Sequence, residues 1–206
     1  MIFILFLYLI FNHKTKTDFS YSYSEDFLTN NDLIQINNEL KNYDQKLENS
    51  LENYSNVLRY NTPIDSIKIR NILESYTDNI RKLVSNNKIY LANNFPIEYR
   101  KYVKGSFMNK HKDHLIYKIP QYECILTLSN STDSYTIFGA QGKAGASFNK
   151  VKSLMDLKEP DNKKIKSKPN SLIIVKAQGI EHEVTTVNQG ERYFLKFIFT
   201  ETDQFY

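Results

Sequence analysis

A mainly β chain with α-helices on its N-terminal side is the fold class that the sequence predicts. Between residues 25 and 95 apolar residues recur at helical spacing, and after Pro96 the texture changes. There, short runs rich in β-branched and aromatic residues alternate with Gly, Pro, Asn and Ser, the pattern of an all-β sandwich or barrel. A chain of 206 residues, 41% hydrophobic and 14% aromatic, has enough apolar material for one domain with a sizeable core.

The elements follow in order. MIFILFLYLIF opens the chain, and its eleven apolar residues fall short of the roughly 20 that span a bilayer. No basic residue precedes it and no small-x-small cleavage site follows. Residues 1–12 are read as a membrane-associating or signal-like segment rather than a buried strand. That favours a membrane or secretory location over the cytoplasm. Residues 13–24 are polar and read as a linker. Residues 25–95 form a helical support region. One helix is expected here, since Phe27, Leu28, Leu33, Ile34, Ile36 and Leu40 fall mostly at helical spacings and Thr29 or Asn30 can cap the start. A second is expected from Ile64 to about Val84, with Thr62 and Pro63 at its start.

Residues 96–206 form the β domain. IEYRKYV, HLIYKI, YECILTLS, SYTIFGA, SLIIVKA, EHEVTTV and ERYFLKFIF are its expected strands. The interval 148–168 between them is helical or loop in character. Loops around 86–95 and 141–168 are the expected substrate contacts. Gly139, Gly142 and Gly145 suggest that the second of these moves.

Charge excludes some functions. The 27 basic and 23 acidic side chains leave +4, and no long basic stripe gathers them. No nucleic-acid partner is therefore expected. NKKIKSK, residues 162–168, reads as a solvated loop. Cys124 is the sole cysteine, so no intramolecular disulfide holds the fold. It reads as a small apolar packing residue.

Only four histidines are present, and two stand in GSFMNKHKDH. On an extended strand His111 and Asp113 share a face. His114 faces the other way, and His13 lies in the linker. His182 precedes a strong β pattern. Two imidazoles and one carboxylate on one side of a metal leave three positions open, the facial arrangement of non-haem Fe(II) oxygenases. Arg192 follows ten residues after His182, alternating with Phe194 and Lys196. Its planar fork suits the far carboxylate of a dicarboxylate cosubstrate. Lys196 is a second candidate cation on that face.

With these residues in place the chain resembles the 2-oxoglutarate- and Fe(II)-dependent dioxygenases, prolyl-4-hydroxylase-like branch. The resemblance covers about 97–200. Tyr102, Gly105, His111 and Asp113 match the family's Tyr-x-x-Gly…His-x-Asp pattern. His182, Gly190 and Arg192 match its distal His and the turn into the last strand. Met108 departs from a common Tyr, Asn170 from a Gly, and the Gly-Gly-Glu-Thr run before Phe138 is absent. Those departures bear on the substrate more than on the metal.

The resemblance implies a double-stranded β-helix (jelly roll, cupin-like) with helices packed on one side. It implies Fe(II) at His111, Asp113 and His182, with 2-oxoglutarate and O₂ as cosubstrates and ascorbate as a candidate reductant. Arg192 would bind the far carboxylate of 2-oxoglutarate, with Tyr102 and Thr127 beside it. The activity implied is hydroxylation of an unactivated C–H bond, with a prolyl or other peptidyl residue of a protein or peptide as candidate substrate. Succinate and CO₂ would be released. Two alternatives remain open: a jelly-roll binding module with an inactive metal site, and a nucleic-acid demethylase of the same fold. Against the second, Ile198 stands where those enzymes carry a further arginine.

Overall fold

The computed structural model describes residues 20–50, 57–118, 120–139 and 163–206. The apolar segment 1–12, most of the linker and most of the 141–168 loop lie outside them. No helix among the described residues is long and apolar enough to cross a membrane.

The strands are β1 (Tyr21–Ser24), β2 (Glu48–Ser50), β3 (Val57–Ile64), β4 (Tyr90–Leu91), β5 (Ile97–Tyr102) and β6 (Phe107–His111). They continue with β7 (Gln121–Asn130), β8 (Thr136–Phe138), β9 (Lys163–Ile165), β10 (Ser171–Lys176), β11 (His182–Val184) and β12 (Arg192–Thr200). The helices are α1 (Asn30–Leu40), α2 (Ile67–Ser75) and α3 (Thr77–Val84).

The sheet runs in the order β1-β10-β7-β12-β5-β3-β6-β11-β8-β9, with β2 beside β3 and β4 beside β12. Strand β3 pairs with β5 through residues 60–64 and with β6 through residues 57–58. It therefore carries the sheet from one half of a curl to the other. The result is a mainly β jelly roll with helices on one side.

Alternation on β12 divides the core. Leu195, Phe197 and Phe199 pack with Leu126, Leu128, Leu172 and Ile174 against the helical residues Ile36, Leu40, Ile69, Leu73 and Ile80. Full burial of such side chains contributes about 1.5–3 kcal/mol each. Arg192, Phe194 and Lys196 take the opposite, concave face. Phe194 clusters there with Tyr102, Val184 and Val187. Cys124 is wholly buried on the helix side, as a small apolar residue would be, and burial pushes its thiol well above the ordinary range.

Several elements differ from the sequence expectation. Residues 21–24, expected in the linker, form β1, because Tyr-Ser-Tyr-Ser alternates with period two and pairs with β10. Tyr21 also stacks on Phe138 at 4.1 Å. Residues 57–64, inside the expected helical region, form β3, so Pro63 ends a strand rather than starting a helix. The second helix starts at Ile67, where the Ser66 side chain accepts from the Ile69 N–H. It is then broken at Tyr76, whose hydroxyl donates to Asp32 and accepts from the Thr29 amide. Thr29 caps α1 by accepting from the Asp32 amide, as expected. Residues 114–118 of HLIYKI form no strand: the Gln121 side-chain oxygen accepts the Ile116 and Tyr117 amides at 2.7 and 3.0 Å, so those donors go to a side chain instead of a ladder.

Candidate metal and carboxylate site

Strands β6 and β11 pair antiparallel with His111 opposite His182. This register brings the two imidazoles together, with ring centroids 4.4 Å apart. Asp113 lies two residues beyond the end of β6, so strand alternation is not what aims it. Its backbone carbonyl accepts from both the amide and the side chain of Gln178, at 3.1 and 3.2 Å. That clamp ties Asp113 to the turn leading into His182. His182 Nε2 lies 3.6 Å from Asp113 Oδ2, and His111 Nε2 lies 3.7 Å from Oδ1. One ligand atom from each of the three lies within 4.8 Å of the others.

The second ring nitrogens settle which atoms face inward. His111 Nδ1 is 2.8 Å from the Asn109 carbonyl, and His182 Nδ1 is 3.3 Å from the Ile180 carbonyl. A carbonyl can only accept, so a neutral ring carries its proton on Nδ1 and presents the Nε2 lone pair to the centre. Asp113 Oδ2 is buried with no hydrogen-bond donor. Two lone pairs and an undonated carboxylate oxygen converge, which is the donor set of a divalent transition-metal site.

Electrostatics agree with that set. Burial pushes the Asp113 carboxyl up, but the bond to His111 and the charges of His182 and Lys196 outweigh it, leaving the group below its ordinary value. Burial dominates at His182 and lowers it. At His111 burial also acts downward, but the contacts with Asp113 and the Asn109 carbonyl raise it overall.

A second polar group lies in a cavity that His182 lines. Arg192 is 3% exposed and lines this space with His182, Tyr102, Met108, Ile125, Phe138 and Phe194. Its Nη2 donates to Thr127 Oγ1 at 2.9 Å, and its guanidinium lies 5.0 Å from the Phe194 ring centre. Tyr102 is its register partner on β5 and meets Phe194 edge to face. Burial drives Arg192 down to about 10, still charged near neutrality. Its Nε is buried and unpartnered. Lys196, the alternative cation, instead lies 2.9 Å from Glu123 Oε2, at an angle that makes an ion pair but not a good hydrogen bond. The fold thus gathers Arg192, Tyr102 and Thr127 at one place and commits Lys196 elsewhere. His114 contributes only its carbonyl, to Gln121.

Comparison with solved structures identifies the architecture. A prolyl-4-hydroxylase from Pseudomonas putida superposes with a TM-score of 0.63 at 15% identity, over 89% of this chain and 93% of that one. The fold is that of the 2-oxoglutarate- and Fe(II)-dependent oxygenases. A Trichoplax adhaerens prolyl hydroxylase, solved with a hypoxia-inducible-factor peptide, matches this oxygenase fold with a TM-score of 0.64 at 13% identity, over 91% and 86% of the two chains. HygX from Streptomyces hygroscopicus, solved with nickel and 2-oxoglutarate, matches it at 0.60 and 11%, over 95% and 86%. No family model and no curated protein matches the chain in sequence.

Sequence reasoning missed four residues around the oxygenase-fold cavity. Gln178 clamps Asp113, and a left-handed turn residue gives no such signal in sequence. Glu123 pairs with Lys196, although nothing local announces a buried glutamate on β7. Tyr23 approaches Arg192 from β1, which was expected to be a linker. Arg100 lines the cavity, and its alternation with Tyr102 on β5 was the available signal.

Proposed function

We propose that the chain is an Fe(II)- and 2-oxoglutarate-dependent dioxygenase that hydroxylates an unactivated C–H bond of a peptidyl residue, a prolyl side chain being the first candidate. The observation that carries this is the convergence of His111, Asp113 and His182, with His182 lining the same cavity as Arg192, whose Nε lacks a partner. The prolyl hydroxylases among the structural matches support the peptidyl part.

His111, Asp113 and His182 would hold Fe(II) through Nε2, carboxylate and Nε2. The bound metal with 2-oxoglutarate and O₂ would supply oxidative decarboxylation, one oxygen atom of O₂ going into succinate as CO₂ leaves and the other being inserted into a C–H bond. The chain's own residues bind and orient. Arg192 supplies a buried fork for the far carboxylate, and Thr127 fixes the plane of that fork by accepting from Nη2. Phe194 shields its other face. Ile125, Phe138, Ile173, Val175 and Val184 exclude water from the space between Arg192 and His182. The carbonyls of Asn109 and Ile180 hold the two ring protons away from the centre. No acid–base pair is needed.

The test is incubation with Fe(II), ascorbate, 2-oxoglutarate and proline-containing peptides. Succinate formation and a mass gain of one oxygen on the peptide are expected. Absence of both metal binding and succinate formation by the folded protein would overturn the reading.

A further inference from the structure

On the concave face of β3 and β5, Asn61 stands directly opposite Arg100. Cross-strand partners place their Cβ atoms about 4.5–5.5 Å apart. Arg100 is 8% exposed, and its Nε is buried without a partner. Asn61 Oδ1 is likewise buried without a partner. An unused donor and an unused acceptor thus stand side by side without bonding to each other. Each costs free energy in that condition, because a buried polar atom is normally satisfied. Arg100 lines the cavity that holds His182 and Arg192. Asn61 lines an open groove with Gln45, Glu48, Asn49 and Pro63. The pair stands between the two spaces.

The charge of Arg100 decides what chemistry it takes. Glu98 already accepts from its Nη2 as an ion pair. A carboxylate brought to the unpartnered Nε–H would meet Glu98 beside it, and like charges so placed repel. A neutral oxygen would not. Asn61 Oδ1 in turn requires an N–H. One neutral group offers both: the amide unit, with a carbonyl for Arg100 and an N–H for Asn61.

We propose that Asn61 and Arg100 form a subsite that reads a backbone amide of the substrate beside the reacting residue. The inference rests on the oxygenase reading and deepens it: the substrate is an amide-linked chain rather than a free amino acid. The subsite is distinct from Arg192, which stands opposite Tyr102, two residues along β5 from Arg100. At a rise of about 3.3 Å per residue that is a displacement of about 7 Å along the strand.

The experiment measures binding, not turnover. Acetyl-Gly-Xaa-Gly amides, one for each residue type at the centre, and the matching free amino acids are titrated calorimetrically into the protein with Ni(II), with and without 2-oxoglutarate. At least one blocked tripeptide should bind, and more tightly than its free amino acid. Arg100→Lys keeps the charge facing Glu98 but removes the Nε–H. It should weaken that tripeptide about 10- to 100-fold, the effect of one charge-assisted hydrogen bond, with 2-oxoglutarate affinity unchanged. Replacing the amides of the bound peptide by esters, one at a time, should weaken binding to the wild type at one position. The same ester should cost nothing further in Asn61→Ala.

Three results would overturn the subsite: free amino acids binding as well as blocked peptides, no tripeptide binding at all, or an ester penalty that survives in Asn61→Ala. Loss of 2-oxoglutarate affinity in Arg100→Lys would assign Arg100 to the cosubstrate instead. Failure of the wild type to bind 2-oxoglutarate would sink the oxygenase reading alone, because the titrations without it still judge the amide subsite.

Discussion

Arg192 carries opposite burdens with and without a bound carboxylate, and that makes it the sharpest test of the site. Burial drives its guanidinium down to about 10, which at 1.36 kcal/mol per unit is about 3 kcal/mol against the charged form. The Thr127 hydrogen bond returns about 1–3 kcal/mol, and the Phe194 face about 0.5–2. Cost and return nearly cancel in the free protein. Arg192→Met, of similar volume, should therefore leave its stability within about 1 kcal/mol in urea unfolding. The bound state differs, since truncating one partner of a buried charge pair costs about 2–5 kcal/mol. The 2-oxoglutarate dissociation constant should rise roughly 30- to 5,000-fold by calorimetry, with metal affinity little changed. Arg192→Lys should fall between, having the charge without the fork. The reasoning is refuted if Arg192→Met binds 2-oxoglutarate like wild type, or if Lys196→Ala is the variant that loses it.

Metal affinity should rise with pH through a midpoint above the ordinary histidine value of about 6.5, because His111 is raised and must lose its Nε2 proton to bind, whereas His182 is already neutral. The sign for metal-free stability is opposite: a raised His111 contributes below about 6.5, and that contribution is lost as pH climbs through its folded value, as NMR titration and urea unfolding would record. Gly190→Ala should cost at least about 2 kcal/mol in urea unfolding, since φ is +78° and a Cβ would lie 2.3 Å from the Ser131 carbonyl oxygen. Lys196→Met should cost about 3–5 kcal/mol by leaving Glu123 buried and unpaired, and Lys196→Met with Glu123→Gln should recover most of it, measured as a double-mutant cycle.

The triad and the arginine were legible from residue types in order along the chain, but folding supplies their geometry: His111 and His182 become register partners, Asp113 is held beyond the end of β6, and Arg192 begins β12. The Thr29 cap was legible because it is local chemistry. β3 was not, since NVLRYNTPI lies among helical runs and becomes a strand only by pairing with β5 and β6. The break at Tyr76 depends on Asp32 and Thr29, more than 40 residues away in sequence, where no local pattern can reveal it. HLIYKI has the composition of a strand, but Gln121 takes its amides. At β3 and at Tyr76 a partner distant in sequence overrode a local preference, and in HLIYKI a side chain four to five residues away did so.

The same distinction explains how the oxygenase fold persists at 10–15% identity while no family model matches. Much of the site's placement is carried by backbone conformation at turns. Gly105 at φ +88° precedes the strand that ends in His111, and Gly190 at +78° precedes Arg192. Asn170 at +57° precedes β10, at the position where the resemblance expected glycine. Asparagine tolerates this left-handed conformation better than other non-glycine residues. Here its side chain also accepts from the Leu28 amide and donates to the Leu28 carbonyl, both at 2.9 Å. The exchange keeps the turn and adds a tie to the segment before α1. Gln178 at +58° has no such tolerance, and a side chain there costs about 1–2 kcal/mol. Its two bonds to the Asp113 carbonyl offset that cost and hold the carboxylate between the imidazoles. A motif written in residue types registers Asn170 as a departure. The geometry that aims His111, Asp113 and His182 at one point does not.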